Sequence, residues 1–363
     1  MLSKQPKPPS ARQPVTVVFY PYRRGRVFAI LGLLALLVLL IAFATSIGSV
    51  EIPFPTTASI LISKLPFVDI TPTWESALET IVLEIRLPRV ILAGVVGAAL
   101  AVAGASYQGL FRNPLADPYL IGVAQGAALG AVIGFLLPVS RLGLGIGLVP
   151  ILAFAGALLS VAVVYSLARV GRTVPVTTLI LAGVALGALL GAVVAYLAIT
   201  SGQMVHGILF WLAGSFSLSQ WSEVQIVLPI VIVGAAVILL FARSLNIMQL
   251  DEDQAQQLGI NVERLKLILL TAATLVTAAA VSFVGIIGFV GIIIPHAVRL
   301  IWGPDYRFLL PLSVLSGAIF LILADILART VAAPSEIPIG VITALCGAPF
   351  FLYLLRRRAK MLF

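Results

Sequence analysis

Two apolar segments of membrane length follow each other between Arg86 and Ala131, and one polar turn joins them. The first segment begins beside Arg86 and Arg89, and the turn contains Arg112 and Asp117. A helix needs about 20 apolar residues to cross the hydrocarbon core of a bilayer. Because lipid offers no partners for backbone N–H and C=O groups, such segments must satisfy their hydrogen bonds internally. The pattern therefore predicts two membrane-spanning helices in a hairpin.

The second of these segments has a glycine at every fourth position. The glycines are Gly122, Gly126, Gly130 and Gly134, and this spacing puts them on one helical face. Small residues let two helix backbones approach closely in lipid. We predict that this face packs against a neighbouring helix.

The composition extends the membrane assignment to the whole chain. Hydrophobic residues make up 61% of the sequence and charged residues 10%, which leaves too little polar surface for a water-soluble globule. A transmembrane barrel would show short alternating segments, and none is seen. The sequence predicts an all-α integral membrane protein. The single cysteine, Cys346, excludes an intrachain disulfide and a cysteine-based metal cluster, and we predict no metal site.

Ten spans are predicted, and they form one ten-helix transmembrane domain over residues 27–358. A basic leader (1–26) precedes this domain and a short tail (359–363) follows it. The first apolar run is too long for a signal-peptide core, so we assign it as a span. The predicted spans are 27–48, 88–110, 118–138, 148–168, 178–199, 222–243, 265–287, 288–303, 308–328 and 339–355.

The basic residues predict the orientation. They are abundant in the leader and in the tail, and an even number of spans puts both termini on one side. The positive-inside rule makes that side cytoplasmic, so the protein is expected in the cytoplasmic (inner) membrane of the cell. The net charge of +9 is explained in the same way, because the basic residues lie beside apolar runs, and no nucleic-acid partner is predicted. Four arginines fall on the predicted outer side against this trend: Arg86, Arg89, Arg141 and Arg329.

The sequence argues against an enzyme. A nucleotide-binding P-loop needs a Gly-Lys pair, and none of the five lysines follows a glycine. A membrane enzyme would need paired carboxylates or a metal site, and neither is found. An ion-coupled secondary transporter remains an alternative, which would depend on Asp325 or His296 within the spans. Asp325 also lies four residues before Arg329, a spacing typical of an ion pair within one helix.

The segment 245–265 predicts a short charged helix between two spans. Asp251, Glu252 and Asp253 open it, since acidic residues are favoured at a helix N-terminus, and Gly259 can end it. Such a helix is either a solvated connector or a lever that a soluble partner moves.

Four stretches together resemble the permease family of bacterial and archaeal ABC importers for iron-siderophores, haem and cobalamin. The resemblance covers about residues 27–358. The stretches are Arg86–Ala131, Gln257–Ile260, Gly288–Leu300 and Ala324–Leu355.

The resemblance implies the type II ABC importer permease fold and a set of partners. These are a second permease subunit (an identical chain or a close homologue), two cytoplasmic ATPase subunits that hold ATP and Mg, and an extracytoplasmic binding protein. The cargo would be a large metal chelate, and the chain itself would bind no cofactor. We expect a ferric siderophore because iron chelates are the commonest substrates of the family, with cobalamin and haem as alternatives.

The resemblance also implies roles for residues. Arg86, Arg89 and Arg329 would dock the binding protein by holding its carboxylates, and changing all three to Glu is expected to weaken docking and leave the fold intact. Val176, Thr177 and Thr178 would lie at the cytoplasmic gate, although Val176 departs from the hydroxyl pair of some members. The path would be lined by the third, fifth and tenth spans. The residues implied to contact the ATPase are Asp251, Glu252, Asp253, Gln254, Gln257, Leu258 and Gly259.

Overall fold

The computed structural model of the protein describes residues 23–138, apart from 49, 67, 69 and 70, and residues 147–362. Within these residues the regular structure is helical, and β structure is limited to isolated bridge residues, such as the antiparallel pair Val170 and Thr173. The all-α prediction is confirmed. Arg141 and most of the predicted leader lie outside the described residues.

We number fifteen α-helices in the described part of the chain, and several are joined by short 3-10 or π-helical turns. The helices are α1 Arg23–Ser46, α2 Phe54–Ser63, α3 Ser76–Thr80, α4 Leu87–Leu110, α5 Val123–Leu136, α6 Leu148–Ala168, α7 Val176–Thr200, α8 Val205–Leu212, α9 Trp221–Leu240, α10 Ala242–Met248, α11 Glu252–Gln257, α12 Val262–Val284, α13 Val290–Trp302, α14 Tyr306–Thr330 and α15 Ile339–Leu362.

Each of the ten predicted spans corresponds to one of these helices. Seven are long and apolar enough to cross a membrane by length and composition: α1, the continuous helix that ends with α4, α6, α7, α9, α12 and α14. The third, eighth and tenth spans correspond to the shorter apolar helices α5, α13 and the first part of α15. The helix α15 runs on to Leu362, beyond the predicted end of that span.

The segment between the first two spans differs most from its prediction. The predicted spans leave residues 49–87 without a helix, but this segment contains α2, and a continuous helix begins at Ser76, twelve residues before the predicted span. This helix passes through a π-helical stretch, Ile81–Arg86, before Pro88. Hydropathy detects only the apolar part of a helix, whereas residues such as Glu84 extend it without loss of helix propensity.

The eighth span, α13, has 13 residues and therefore rises about 20 Å, less than the thickness of a hydrocarbon core. The chain reaches it through a non-helical segment, Gly285–Phe289. Other parts of the chain pack against this segment, because the Tyr119 hydroxyl donates to the Ile287 carbonyl and Gly285 packs against Trp211. Non-helical backbone at membrane depth is tolerated where protein surrounds it.

The helices α4, α12 and α14 form the buried centre of the bundle. Close backbone contact between α4 and α14 depends on two glycines. A Cβ atom at Gly97 would lie 2.2 Å from the Gly317 carbonyl oxygen, so any larger residue would force the helices apart. Helices in lipid gain their packing energy from such contacts.

The ends of α4 define two ends of the molecule. Arg89, near its start, contacts Asp325 close to the end of α14, and Gly109, near its last residue, accepts a hydrogen bond from Gln249. Twenty residues of helix separate Arg89 from Gly109, which is about 30 Å. We call these the Glu336 end and the Lys266 end, after the residues described below.

Candidate functional site

Arg89 is the centre of an ionic cluster at the Glu336 end. Its Nη2 lies 2.9 Å from Asp325 Oδ1, and its Nη1 lies 2.7 Å from Glu336 Oε1. Its Nε and Nη2 also donate to Asp325 and Glu336 respectively, so the guanidinium holds a carboxylate on each of two edges. Asp325 is almost fully buried, and paired charges are the form in which a buried carboxylate is tolerated. The cluster joins α4, α14 and the loop before α15.

Glu336 lies in that loop and has a second partner. The Ser217 hydroxyl donates to Glu336 Oε2 at 2.5 Å, which ties the segment after α8 to the same carboxylate. Partial burial opposes the charged form of Glu336, but the hydrogen bonds from Arg89 and Ser217 outweigh it and hold the pKa of Glu336 below its usual range. The carboxylate is therefore charged at neutral pH.

Arg86 and Arg329 both donate hydrogen bonds to carbonyl groups at the end of α1. Arg86 donates to the carbonyls of Ser46 and Thr45 and, through Nη2, to that of Val50. Arg329 donates to the carbonyl of Ala44 at 2.7 Å and to that of Ile47. The last four carbonyls of a helix have no partner within it, and a cation there is favoured by the helix dipole.

All three predicted docking arginines thus lie at one end of the bundle, but their guanidinium groups contact groups of this chain. Arg86 has 6% of its surface exposed, and the side chain of Arg329 is equally buried. The expectation that their reversal leaves the fold intact does not fit these contacts, because glutamates would face the α1 carbonyls. The predicted pair of Asp325 with Arg329 is present at 3.5 Å, but Arg89 is the nearer partner of Asp325. Sequence spacing could not reveal that long-range contact.

The predicted charged helix at the Lys266 end is α11. Asp251 is its N-cap and accepts a hydrogen bond from the Glu252 backbone N–H, and Gly259 follows it with φ +84°. The left-handed conformation at Gly259 is the usual way to end a helix. The prediction of a short helix that opens with acids and ends at Gly259 is confirmed.

The predicted coupling residues divide into two groups. Asp251 and Glu252 form hydrogen bonds with other residues of the chain. Asp251 accepts a hydrogen bond from Arg112 at 2.7 Å, and Glu252 accepts one from Lys266 at 2.8 Å. The hydrogen bond from Arg112 holds the pKa of Asp251 below its usual range. The other five are exposed, so α11 is anchored on one side and accessible on the other. The exposed residues are Asp253, Gln254, Gln257, Leu258 and Gly259.

Lys266 is a functional candidate that the sequence analysis missed. It lies in the second turn of α12 with 5% of its surface exposed, and its ammonium group contacts Glu252, Glu263 at 3.1 Å and the Val174 carbonyl at 3.3 Å. Glu263 in turn accepts from the Val174 backbone N–H at 3.0 Å. The Glu263–Lys266 spacing of three residues could have indicated the pair, but the contacts to α11 and Val174 are not readable from spacing.

The predicted gate residues begin α7, directly after the segment that Lys266 holds. Val176 is the first residue of the helix and Thr177 is exposed. The Thr178 hydroxyl donates to the carbonyls of Ala168 and Pro175, which fixes the first turn of α7 to the end of α6. We define the Lys266 cluster as Lys266, Glu252, Glu263 and Val174. The predicted gate residues begin two residues after Val174 and are therefore adjacent to this cluster.

The glycines of the third span lie against α6. A Cβ at Gly130 would stand 1.9 Å from the Leu152 carbonyl oxygen, and one at Gly126 would stand 2.4 Å from that of Gly156. Gly134 lies beside Val149 in the same interface. Gly122 differs from the expectation, because it precedes α5 and is left-handed with φ +86° rather than part of the helical face.

Within the described residues, no group of three His, Cys, Asp or Glu side chains is placed to hold a metal ion. His296, one of the two residues on which a secondary transporter would depend, lies beside an aromatic ring, and the nearby Arg299 is hydrogen-bonded within this chain. The ring of His296 meets that of Phe350 edge-on with centroids 6.4 Å apart, and Arg299 donates to Gln108 at 3.0 Å and to the Tyr306 hydroxyl.

The sequence between residues 36 and 357 matches the FecCD transport family. The chain belongs to this family. Membership in the FecCD family, whose members include permeases of ABC importers, confirms the resemblance inferred from the four sequence stretches.

Relatives in the FecCD family extend over most of the chain. The cobalamin import system permease protein BtuC of Halobacterium salinarum is 47% identical over 280 residues, which are 77% of this chain and 74% of that protein. The hemin transport system permease protein HmuU of Yersinia pestis is 40% identical over 341 residues, 90% of this chain and 95% of that protein.

The fold of this FecCD-family chain also has a solved counterpart. A chain of a metal-chelate type ABC transporter in an inward-facing conformation superimposes with a TM-score of 0.79 and 30% identity, and covers 91% of this chain and 99% of its own length. The predicted fold class, an ABC importer permease, is confirmed.

Proposed function

We propose that this chain is the permease subunit of a binding-protein-dependent importer that moves a large metal chelate into the cell. ATP with Mg would be hydrolysed on two separate cytoplasmic subunits, and a second permease subunit would complete the path. In this proposal the Lys266 end is cytoplasmic, the Glu336 end faces outward, and both termini are cytoplasmic in the cell membrane.

The observation that carries the proposal is the position of α11. This helix is fixed to the bundle on one side by Arg112 and Lys266 and exposes its other side. A solvated connector would need no such anchorage. An anchored helix with a free face is suited to receive a partner and to pass its movement to the spans.

Docking of the binding protein at the Glu336 end involves Arg89 in this proposal. A carboxylate of the partner would compete with Glu336 for the fork of Arg89, since bidentate carboxylate binding is what this guanidinium already performs. Arg86 and Arg329 would contribute to docking only after release of the α1 carbonyls, or indirectly by holding α1 in place.

We propose that the cargo is a metal chelate. Within this class, a ferric siderophore is still the predicted cargo. Cobalamin is a second candidate, because the BtuC relative at 47% identity is a cobalamin permease. A path of small and apolar residues suits both. The helices α7 and α15, which correspond to the fifth and tenth predicted spans, carry exposed apolar side chains such as Leu181, Tyr196 and Leu345.

Uptake in proteoliposomes tests the proposal. Ferric siderophore, haemin and cobalamin would each be supplied with a binding protein, with the ATPase subunits present or absent and with ATP inside or outside. We expect uptake of one chelate only when the ATPase and ATP are on the face of the Lys266 end. Uptake that ignores ATP and follows an ion gradient would instead support a secondary transporter working alone.

A further inference from the structure

The ammonium group of Lys266 connects three segments that are separate in the sequence. Its acceptors are Glu252 on α11, Glu263 on its own helix and the carbonyl of Val174 before α7. Lys266 is 5% exposed, so its charge is removed from water and depends on these acceptors. Direct bonds of this kind are stronger in a buried site than at a solvated surface.

Both backbone polar groups of Val174 belong to this cluster. The Val174 carbonyl accepts from Lys266, and its N–H donates to Glu263 Oε2. Val174 itself is buried. Two residues later α7 begins, so the position of the first turn of α7 is set by the cluster on one side and by Thr178 on the other.

Among the described residues of α11, Glu252 is the one that reaches this cluster. Asp251 turns instead to Arg112, which follows α4. A displacement of α11 therefore acts on the start of α7 through two consecutive contacts, from Glu252 to Lys266 and from Lys266 to Val174. Coupling between sites requires a physical connection of this kind.

We propose that Lys266 is a positioning residue that transmits movement of α11 to the N-terminus of α7. This inference rests on the proposed function, in which α11 meets the ATPase and the start of α7 forms the gate. With 5% of its surface exposed, Lys266 has little area left for a contact with cargo or nucleotide. Lys266 would keep the start of α7 in a fixed position relative to α11.

The first test measures transmission in the purified chain, without partners. Hydrogen exchange of the segment 170–180 is compared in wild type, Lys266→Met, Lys266→Arg and Glu252→Gln. Among the described residues no hydrogen bond or ion pair joins Glu252 to α7. We nevertheless expect E252Q to speed exchange at Val174 several-fold, as K266M does, and K266R to stay close to wild type. Arg307→Gln is the matched control, because it removes an exposed ion pair with Asp305 at the same end.

Unchanged exchange at Val174 in E252Q would overturn the inference, since Lys266 would then hold Val174 independently of α11. This result does not depend on the importer assignment. The proposed function is judged separately by whether wild type transports at all.

The second test uses the complete importer in proteoliposomes with whichever of the three chelates wild type imports. We expect K266M to retain bound ATPase subunits and to hydrolyse ATP, while the chelate imported per ATP falls about tenfold. K266R should restore most of the ratio. A purely structural role predicts that uptake and hydrolysis fall in equal proportion, so an unchanged ratio of imported chelate to hydrolysed ATP would overturn the inference.

Discussion

The two ends of the bundle use charge in opposite ways. At the Glu336 end, three arginines are engaged by carboxylates and carbonyls of the same chain, and little of their surface is free. At the Lys266 end, one buried lysine anchors a helix whose other face is exposed. The comparison teaches that charged residues at one end of a bundle do not by themselves identify a docking surface. Burial and partners within the chain decide which charged groups can bind another protein.

The largest effect is expected from breaking the Glu336 end at its buried carboxylate. Asp325→Asn leaves Arg89 and Arg329 with less negative charge in a site that is closed to water. Loss of one partner from a buried ion pair costs about 3–5 kcal/mol. Thermal unfolding in detergent should show a strongly lowered midpoint.

Asp253→Asn is the control for this variant, because Asp253 is an exposed carboxylate on α11. Its midpoint should match that of wild type. Equal midpoints for D325N and D253N would contradict the view that the Glu336 end is held together by a buried ionic cluster.

A smaller loss is expected when the fixation of α1 is removed. Arg86→Gln and Arg329→Gln each delete charged donors to the α1 carbonyls, and hydrogen bonds to charged groups contribute about 1.5–3 kcal/mol. Each variant should unfold at a lower temperature and expose the end of α1 to faster hydrogen exchange. If both variants keep wild-type stability and only lose affinity for a binding protein, these arginines serve docking rather than the fold.

The stability that Glu336 provides to the Glu336 end is expected to depend on pH. Its pKa is lowered in the folded protein, so the stabilisation it provides is present at neutral pH and is lost as the pH falls through the lowered pKa. The unfolding midpoints of wild type and Glu336→Gln should therefore differ most near neutrality and converge in acid. A difference that grows towards low pH would have the wrong sign for this pair.

The smallest effect on stability is expected at the exposed side of the Lys266 end. Arg112→Gln removes a partly exposed ion pair with Asp251, and such pairs contribute little to folding. The unfolding midpoint should not change measurably, whereas binding of the ATPase subunits should weaken if α11 needs this anchor. A lowered midpoint would place Arg112 among the structural residues.

The sequence predicted the fold better than the site. The reason is that helices depend on residues close together in the sequence, whereas the site depends on contacts between distant residues. Helix positions depend on local hydropathy, so the fourth predicted span coincides with α6, and α11 could be recognised from Asp251 and Gly259. The contacts of Arg89 with Asp325 and of Lys266 with Val174 join residues 236 and 92 positions apart. No spacing rule reaches that far. The charge pattern singled out Arg86, Arg89 and Arg329, but it could not reveal that their guanidinium groups contact other groups of this chain.

In the proposed importer, the Glu336 end and the Lys266 end face opposite sides of the membrane and bind different partners. The most direct measurement is labelling of single cysteines with a membrane-impermeant thiol reagent, after the exposed Cys346 is replaced by alanine. One cysteine would replace Leu218, which is 84% exposed beside Ser217, and the other would replace Gln257 on the free face of α11. We predict that Leu218→Cys is labelled in right-side-out vesicles, and that Gln257→Cys is labelled only in inverted vesicles and is protected when the ATPase subunits bind. Labelling of Gln257→Cys from the outer side would contradict the account.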